Sequence, residues 1–276
     1  MAKSKIYIHC VRHAQGFHNL SEANHDLPDP TLTPLGESQC RELSLDFPHA
    51  SKITHLVASP LRRTIYTTLF TFPSLICESH KVIALPELQE TSDMPCDTGS
   101  DLSALVSEFS VGKYAGAVDL SLLDKSWNNK KGKFLPIASA IEDRALDARK
   151  ILRELGEQFL RERAKQGKEG DEEVHMVVTT HGGFLHYFTE DWEGTERFMG
   201  TGWANCEWRS YEFVEGKEER ASIRETGESR MRRLGTEIPI SEEEQQRLKD
   251  AAHREWGKRL QNDEAEAEVE GENAKL

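Results

Sequence analysis

The sequence predicts an α/β protein: a three-layer α/β/α sandwich around a mostly parallel sheet. Three observations predict it. Short runs rich in β-branched residues at 5–11, 53–58, 81–85 and 174–179 read as strands. Stretches of helical period lie between them, the alternation expected of parallel strands joined by crossover helices. The most reactive side chains, Arg12-His13, Arg62-Arg63, Glu87 with Glu90, and His181, each follow one of those runs. A parallel sheet gathers its ligand site off the carboxyl ends of its strands. Four chemically active segments are therefore expected on one rim.

Each element has its own signal. Residues 5–11 run straight into Arg12-His13-Ala14-Gln15-Gly16. Residues 17–33 are polar, carry Pro28 and Pro30, and read as a loop. Thr33 is placed as the N-cap and Pro34 as the first residue of a helix that reaches about Leu45 and stops before Pro48. The strand at 53–58 ends at Ser59-Pro60, and Ser59 is expected to cap a helix from Leu61 to Phe70. A helix is expected at 101–109 and irregular chain at 111–136. Ile141, Ala145, Ala148, Leu152, Leu155, Phe159 and Leu160 recur at helical spacing and predict a long amphipathic helix over 139–165. Residues 208–214 read as a last strand and 241–260 as a polar helix. The whole is read as one domain, 1–261, with an insertion at about 100–136. Residues 262–276 carry six acidic side chains and one lysine, and are expected to be a disordered tail.

Composition narrows the partners. Lys and Arg number 35 against 48 Asp and Glu, a net charge of −13. Such a surface repels nucleic acid and anionic lipid, so neither is expected as a partner. No apolar run approaches the roughly 20 residues of a spanning helix, and the N-terminal apolar stretch is too short for a secretory leader. Cys10, Cys40, Cys77, Cys96 and Cys206 are an odd, scattered set and read as free thiols in a reducing compartment. A cytoplasmic location is expected, with the nucleus as a second compartment.

The rim suits one chemistry. There is no GxSxG elbow and no phosphate-binding P-loop. Arginine forks match phosphate oxygens, a neutral imidazole can attack phosphorus, and a carboxylic acid can protonate the leaving oxygen. This arrangement requires no metal and no cofactor. His9, His18 and His25 lie off the strand exit and read as structural. Cys96 has no basic neighbour in sequence and reads as a structural thiol. The insertion is expected to roof the site. Its Tyr114, Trp127, Lys130, Lys131 and Lys133 suit a flat or phosphorylated organic group, or form a solvated loop around one packed tryptophan. Trp192, Phe198, Trp203 and Trp208 are read as a far wall or as ordinary core.

The segment from Val11 to Asn19, Val-Arg-His-Ala-Gln-Gly-Phe-His-Asn, resembles the Arg-His-Gly signature of the histidine phosphatase superfamily, the phosphoglycerate mutase-like fold. Ala14 stands where glycine is usual, as in the fungal and plant mutase-like branch. Leu32-Thr33-Pro34-Leu35-Gly36-Glu37, Ser59-Pro60-Leu61-Arg62-Arg63-Thr64, Leu88-Gln89-Glu90 and Thr180-His181-Gly182-Gly183 match the further motifs in order. The resemblance implies His13 as the nucleophile. It implies Arg12, Arg63 and His181 as phosphoryl ligands, with Arg62 the alternative to Arg63, and Glu90 as proton donor. Asn19, Gln15, Gly16, Arg62 and Gly182 are the candidate substrate contacts. The stretch after Glu90 is acidic and small, with no cation for a second anionic group. The expected activity is therefore phosphomonoester hydrolysis of a small phosphorylated organic substrate through phosphohistidine. The alternatives are mutase-type phosphoryl transfer and a non-catalytic phospho-ligand module.

Overall fold

The computed structural model describes residues 5–78, 80–167, 173–197 and 201–256. β1 (Lys5–Arg12), β2 (Ile53–Ala58), β3 (Val82–Ala84), β4 (Val118–Asp119) and β5 (Glu173–Thr180) are mutually parallel. β6 (Trp208–Phe213) pairs antiparallel with β1, and β7 (Ile223–Glu225) antiparallel with β6, giving the order β4-β3-β2-β5-β1-β6-β7. β5 is central and buried over all but its first residue. A strand covered on both faces needs an apolar run rather than an alternation, and Val174 to Val178 supplies one.

Helices cover both faces. α1 (Pro34–Asp46), α2 (Arg62–Thr71), α3 (Pro73–Cys77) and α4 (Leu102–Phe109) flank a core of Val11, Leu56, Ile65, Leu69, Leu105 and Val177. α5 (Ala138–Lys165) and α6 (Gly182–Thr189) bury Ile8, Cys10, Leu152, Met176, Val178 and Phe184 on the other face. The split follows from strand geometry, which sends alternate side chains to opposite faces. α7 (Gly227–Leu234) and a helix over 242–256 complete the chain described. No helix among these residues is long and apolar enough to cross a membrane. The expected tail at 262–276, the end of the 241–260 helix and Phe198 lie outside the described residues.

α1 begins as its sequence predicts, with the Thr33 hydroxyl accepting from the Gly36 N–H at 3.1 Å and Pro34 in the first turn. Gly36 has a second purpose: a Cβ there would lie 2.2 Å from the Gln15 carbonyl oxygen. The loop after β1 thus rests backbone to backbone on α1. Ser59 does not cap α2; that position falls to Leu61, and the Ser59 hydroxyl instead meets Nε2 of His181 at 2.8 Å. The helix expected at 101–109 is α4, and the stretch expected to be irregular, 111–136, contains the short strand β4. β7 and α7 were not anticipated. β7 has only three residues, too few to show a period. α7 is announced by local chemistry: Thr226 accepts from Ser229 N–H, and Gly235 ends the helix at φ +72°.

Candidate active site

Backbone bonds lace the strand exits together. The His13 N–H donates to Thr180 O at 2.9 Å, the Ser59 N–H to Thr179 O at 3.0 Å and the Leu85 N–H to Ala58 O at 2.9 Å. The Thr180 hydroxyl donates to Leu88 O at 2.7 Å. The segments after β1, β2, β3 and β5 therefore meet at one edge.

His13 is buried, and its Nδ1 lies 2.7 Å from the carbonyl oxygen of Ala14. A carbonyl can only accept, so Nδ1 carries the proton and Nε2 holds the lone pair. Burial, then Arg63, His18 and Arg12, hold the imidazole well below its usual pKa and keep it neutral. Ala14 fits because the turn asks for no positive φ there. Its N–H donates to Thr67 Oγ1 at 3.0 Å.

Two buried guanidiniums flank this ring. Arg12 donates through Nη1 to Thr201 Oγ1 at 3.1 Å and to Trp203 O. Arg63 donates through Nη2 to Asp97 Oδ1 at 2.7 Å and to His181 Nδ1 at 3.0 Å, and through Nη1 to Cys96 O. Nε of each arginine is buried without a partner. The His181 ring lies 5.3 Å from that of His13. Because its Nδ1 accepts from Arg63, its proton sits on Nε2 and is given to Ser59 Oγ. Burial, then Arg63, hold this second histidine neutral as well.

Glu90 caps α6. Its Oε1 accepts from Phe184 N–H at 2.8 Å and Thr91 N–H at 2.9 Å, and its Oε2 from Gly183 N–H at 3.2 Å. A Cβ on Gly183 would lie 2.8 Å from Oε1, so that glycine makes room for the carboxyl group. Burial, then Asp97, raise the Glu90 pKa, while the N–H donors and Arg63 oppose the rise. Ser92 donates to Asp97 Oδ2 at 2.5 Å. Glu87 is paired with Lys133 Nζ at 2.5 Å.

The other candidates divide. Arg62 turns away to Glu108, with Nη2 to Oε1 at 3.0 Å, and only its neighbour Arg63 enters the cluster. Gln15 points to the Thr33 hydroxyl at 2.8 Å, and Asn19 Oδ1 accepts from Gly16 N–H at 3.0 Å, so both brace the loop. Gly182 admits Thr201, whose Cβ would lie 2.6 Å from an added Cβ. Cys96 is buried and burial pushes its thiol up to about 12, consistent with a structural role. Trp192 packs with Tyr187, His253 and Trp256, and Trp208 with Phe47, His9 and His49. Of the three described tryptophans of that wall, Trp203 alone touches the cluster, through its carbonyl.

Asp97 and Arg144 escaped the sequence reading, and His18 and Lys130 were named there without a role in the cluster. His18 was set aside as structural, yet its ring lies 5.2 Å from His13. Asp97 is the Arg63 partner. Arg144 on α5 donates to the carbonyls of Glu87, Gln89 and Glu90 at 2.6–3.1 Å and fixes the acid loop. Its signal was available, as it falls on the same helix stripe as Ile141, Ala145 and Ala148. The stretch after Glu90 carries no cation, as expected, but Lys130 from the insertion acts electrostatically on the same region. Burial lowers its pKa to about 8, and Asp97, Arg144, Glu90 and Arg63 act on it electrostatically. The chain beside it is tied down by Gln89 Nε2 to Trp127 O at 2.7 Å and Asn128 Nδ2 to Gly99 O at 3.0 Å.

A family model described as the histidine phosphatase superfamily, branch 1, matches residues 8–97. Phosphoglycerate mutase-like protein 2 of Arabidopsis thaliana is 46% identical over 76 residues, which are 24% of this chain and 22% of that protein's length. The aligned region thus spans under a quarter of that curated relative. The ecdysone phosphate phosphatase of Bombix mori, solved with tungstate, has a similar fold, with a TM-score of 0.50 at 14% identity over 85% of this chain and 94% of that one. The phosphoserine phosphatase of Entamoeba histolytica, solved with 3-phosphoglyceric acid, has a TM-score of 0.41 at 15% identity over 80% and 95% of the two chains.

Proposed function

We propose that the chain, whose residues 8–97 match the histidine phosphatase superfamily model, is a phosphomonoesterase working through a phosphohistidine on His13. One observation carries the reading: the Nδ1–H bond to Ala14 O leaves the neutral ring a free Nε2 lone pair among Arg12, Arg63 and His181.

The reaction runs in two steps. Nε2 of His13 attacks phosphorus and the bond from phosphorus to the ester oxygen breaks. Glu90, whose pKa burial raises, gives its proton to that oxygen. Arg12 and Arg63 supply fixed positive charge for the phosphoryl oxygens, and Asp97 and the Cys96 carbonyl hold the Arg63 fork in place. Water then attacks the phosphohistidine, Glu90 takes its proton, and phosphate leaves with Nε2 restored.

Lys130 favours a substrate with a second anionic or strongly polar group near the acid loop. It is also the observation that keeps mutase-type transfer as a second reading, because such an enzyme must hold a second anionic group. The test is phosphate release from an aryl phosphate and from a panel of phosphorylated acids, with His13→Ala as control. Hydrolysis with acid-labile, base-stable label on His13 supports the phosphatase. Isomerised product without phosphate release supports the mutase. Binding without either product leaves only a phospho-ligand module.

A further inference from the structure

We infer that His18 is a further catalytic residue, donating a hydrogen bond to a phosphoryl oxygen as the group passes to His13. The inference rests on the phosphohistidine reading above and adds a third imidazole to its machinery.

The first observation is an unmet hydrogen-bonding capacity. His18 is 7% exposed, its Nδ1 is fully buried without a partner, and among the described residues neither ring nitrogen has a hydrogen bond. Buried polar groups are nearly always satisfied, and each exception asks for an explanation. The other buried histidines of this chain obey the rule. His9 meets Ser210 and His175, His175 also meets Glu173, and His186 meets the carbonyls of Asp191 and Thr201. Of the buried histidines off the strand exit, His18 is the one left open, and it lies beside the nucleophile; the half-buried His80 before β3 also has an unpartnered Nδ1.

The backbone is shaped to bring the ring there. Gly16 has no side chain, and a Cβ would lie 2.8 Å from both Cε1 and Nδ1 of His18 and 3.3 Å from Thr31 O. Asn19 closes the turn on the Gly16 N–H, and the Phe17 N–H donates to Thr31 O at 3.1 Å. A ring packed merely to fill space would not need its polar edge pressed against a glycine at the rim.

The surroundings name the ligand. The groups that act on His18 are Arg63, Arg12 and His25, and none of them offers an anionic acceptor. Together with burial they hold the ring neutral, at a pKa of about 2. A neutral imidazole still has one N–H to give. Beside two guanidiniums whose own Nε groups are unpartnered, the group that can accept it is an oxyanion.

The test compares His18→Phe, which keeps the ring volume, with His18→Gln, which keeps a donor. Turnover of an aryl phosphate, calorimetric binding of inorganic phosphate and thermal melting are read for each. His18→Phe should lower kcat about a hundredfold, as loss of one preorganised donor does elsewhere, and weaken phosphate binding with little change in melting. His18→Gln should recover part of both. If both variants keep kcat and phosphate affinity within twofold of the parent, the inference falls while hydrolysis stands. If the two fail equally and melt equally lower, His18 is only packing and the inference again falls. If the parent binds phosphate in a His18-dependent way but hydrolyses nothing, the ligand role survives and the hydrolase reading fails.

Discussion

Arg63 donates to Nδ1 of His181 at 3.0 Å across 118 residues of sequence, while its neighbour Arg62 reaches Glu108 on α4. Two adjacent arginines at the start of α2 thus have unlike surroundings. Arg63→Gln should lower kcat/KM by at least about a hundredfold, because it removes a buried charge and frees His181. Arg62→Gln should leave kcat/KM within about threefold and cost under about 1 kcal/mol of stability, the range of a half-exposed ion pair. Steady-state kinetics and denaturant unfolding of both variants check this. Equal losses in kcat/KM would mean that Arg62 also serves the site.

His13→Ala should abolish turnover with the fold retained. The ring is buried, but its one protein bond is to its own neighbour's carbonyl, so its removal leaves little unsatisfied. More than a few per cent residual activity in a variant of normal melting temperature would remove His13 from the nucleophile role.

The proton donor can be read through the leaving group. Glu90→Gln should lose orders of magnitude on an alkyl phosphate and far less on nitrophenyl phosphate, whose oxygen leaves without a proton. Glu87→Gln breaks only the pair with Lys133 and should show no dependence on the leaving group. Exchange of these two behaviours would transfer the acid role to Glu87.

Lys130→Met should raise KM about tenfold for substrates carrying a second anionic group and leave KM for an aryl phosphate nearly unchanged. The prediction follows from the electrostatic effect of Glu90 and Asp97 on its ammonium, with no hydrogen bond or ion pair to it among the described residues. Equal KM shifts on both substrate classes would assign Lys130 to the transferred phosphoryl group instead.

Stability should fall in acid through a second histidine cluster. His175 Nε2 gives its proton to Glu173, which makes its Nδ1 an acceptor for His9 Nε2–H at 2.9 Å, while His9 Nδ1 accepts from Ser210 Oγ at 2.8 Å. Every position in this chain is filled, so a further proton must break it. Burial accordingly lowers His9 to about 2, and burial lowers His49 and His175 as well. In the unfolded chain each titrates near 6.5. A depressed folded pKa contributes stability above the unfolded value, lost as pH falls below it. At pH 5 His9 alone should cost about 2 kcal/mol, with a plateau above pH 7. Chemical unfolding from pH 7.5 to 4.5 measures this, and His9→Gln should flatten the slope. An unchanged slope would place the acid sensitivity elsewhere.

The sequence by itself determined the architecture and the order of the rim. Apolar runs and the Thr33-Pro34 start are local signals, and the exits of parallel strands must share an edge. That is why Arg12-His13, Arg62-Arg63, Glu87 with Glu90 and His181 are expected on one edge, while the preference for Glu90 over Glu87 comes from the motif resemblance. What only the tertiary structure decided was which polar groups are paired. Motif spacing prefers Arg63 but keeps Arg62 as the alternative, and their different partners, Asp97 and Glu108, arrive from separate segments. Ser59 reads as a cap because its partner, His181, is 122 residues away. His18 reads as a loop residue until Gly16 lets its ring lie against His13 with its nitrogens unmet. Hydrogen-bond satisfaction is a property of three-dimensional neighbours, and period, propensity and spacing along the chain carry no record of it.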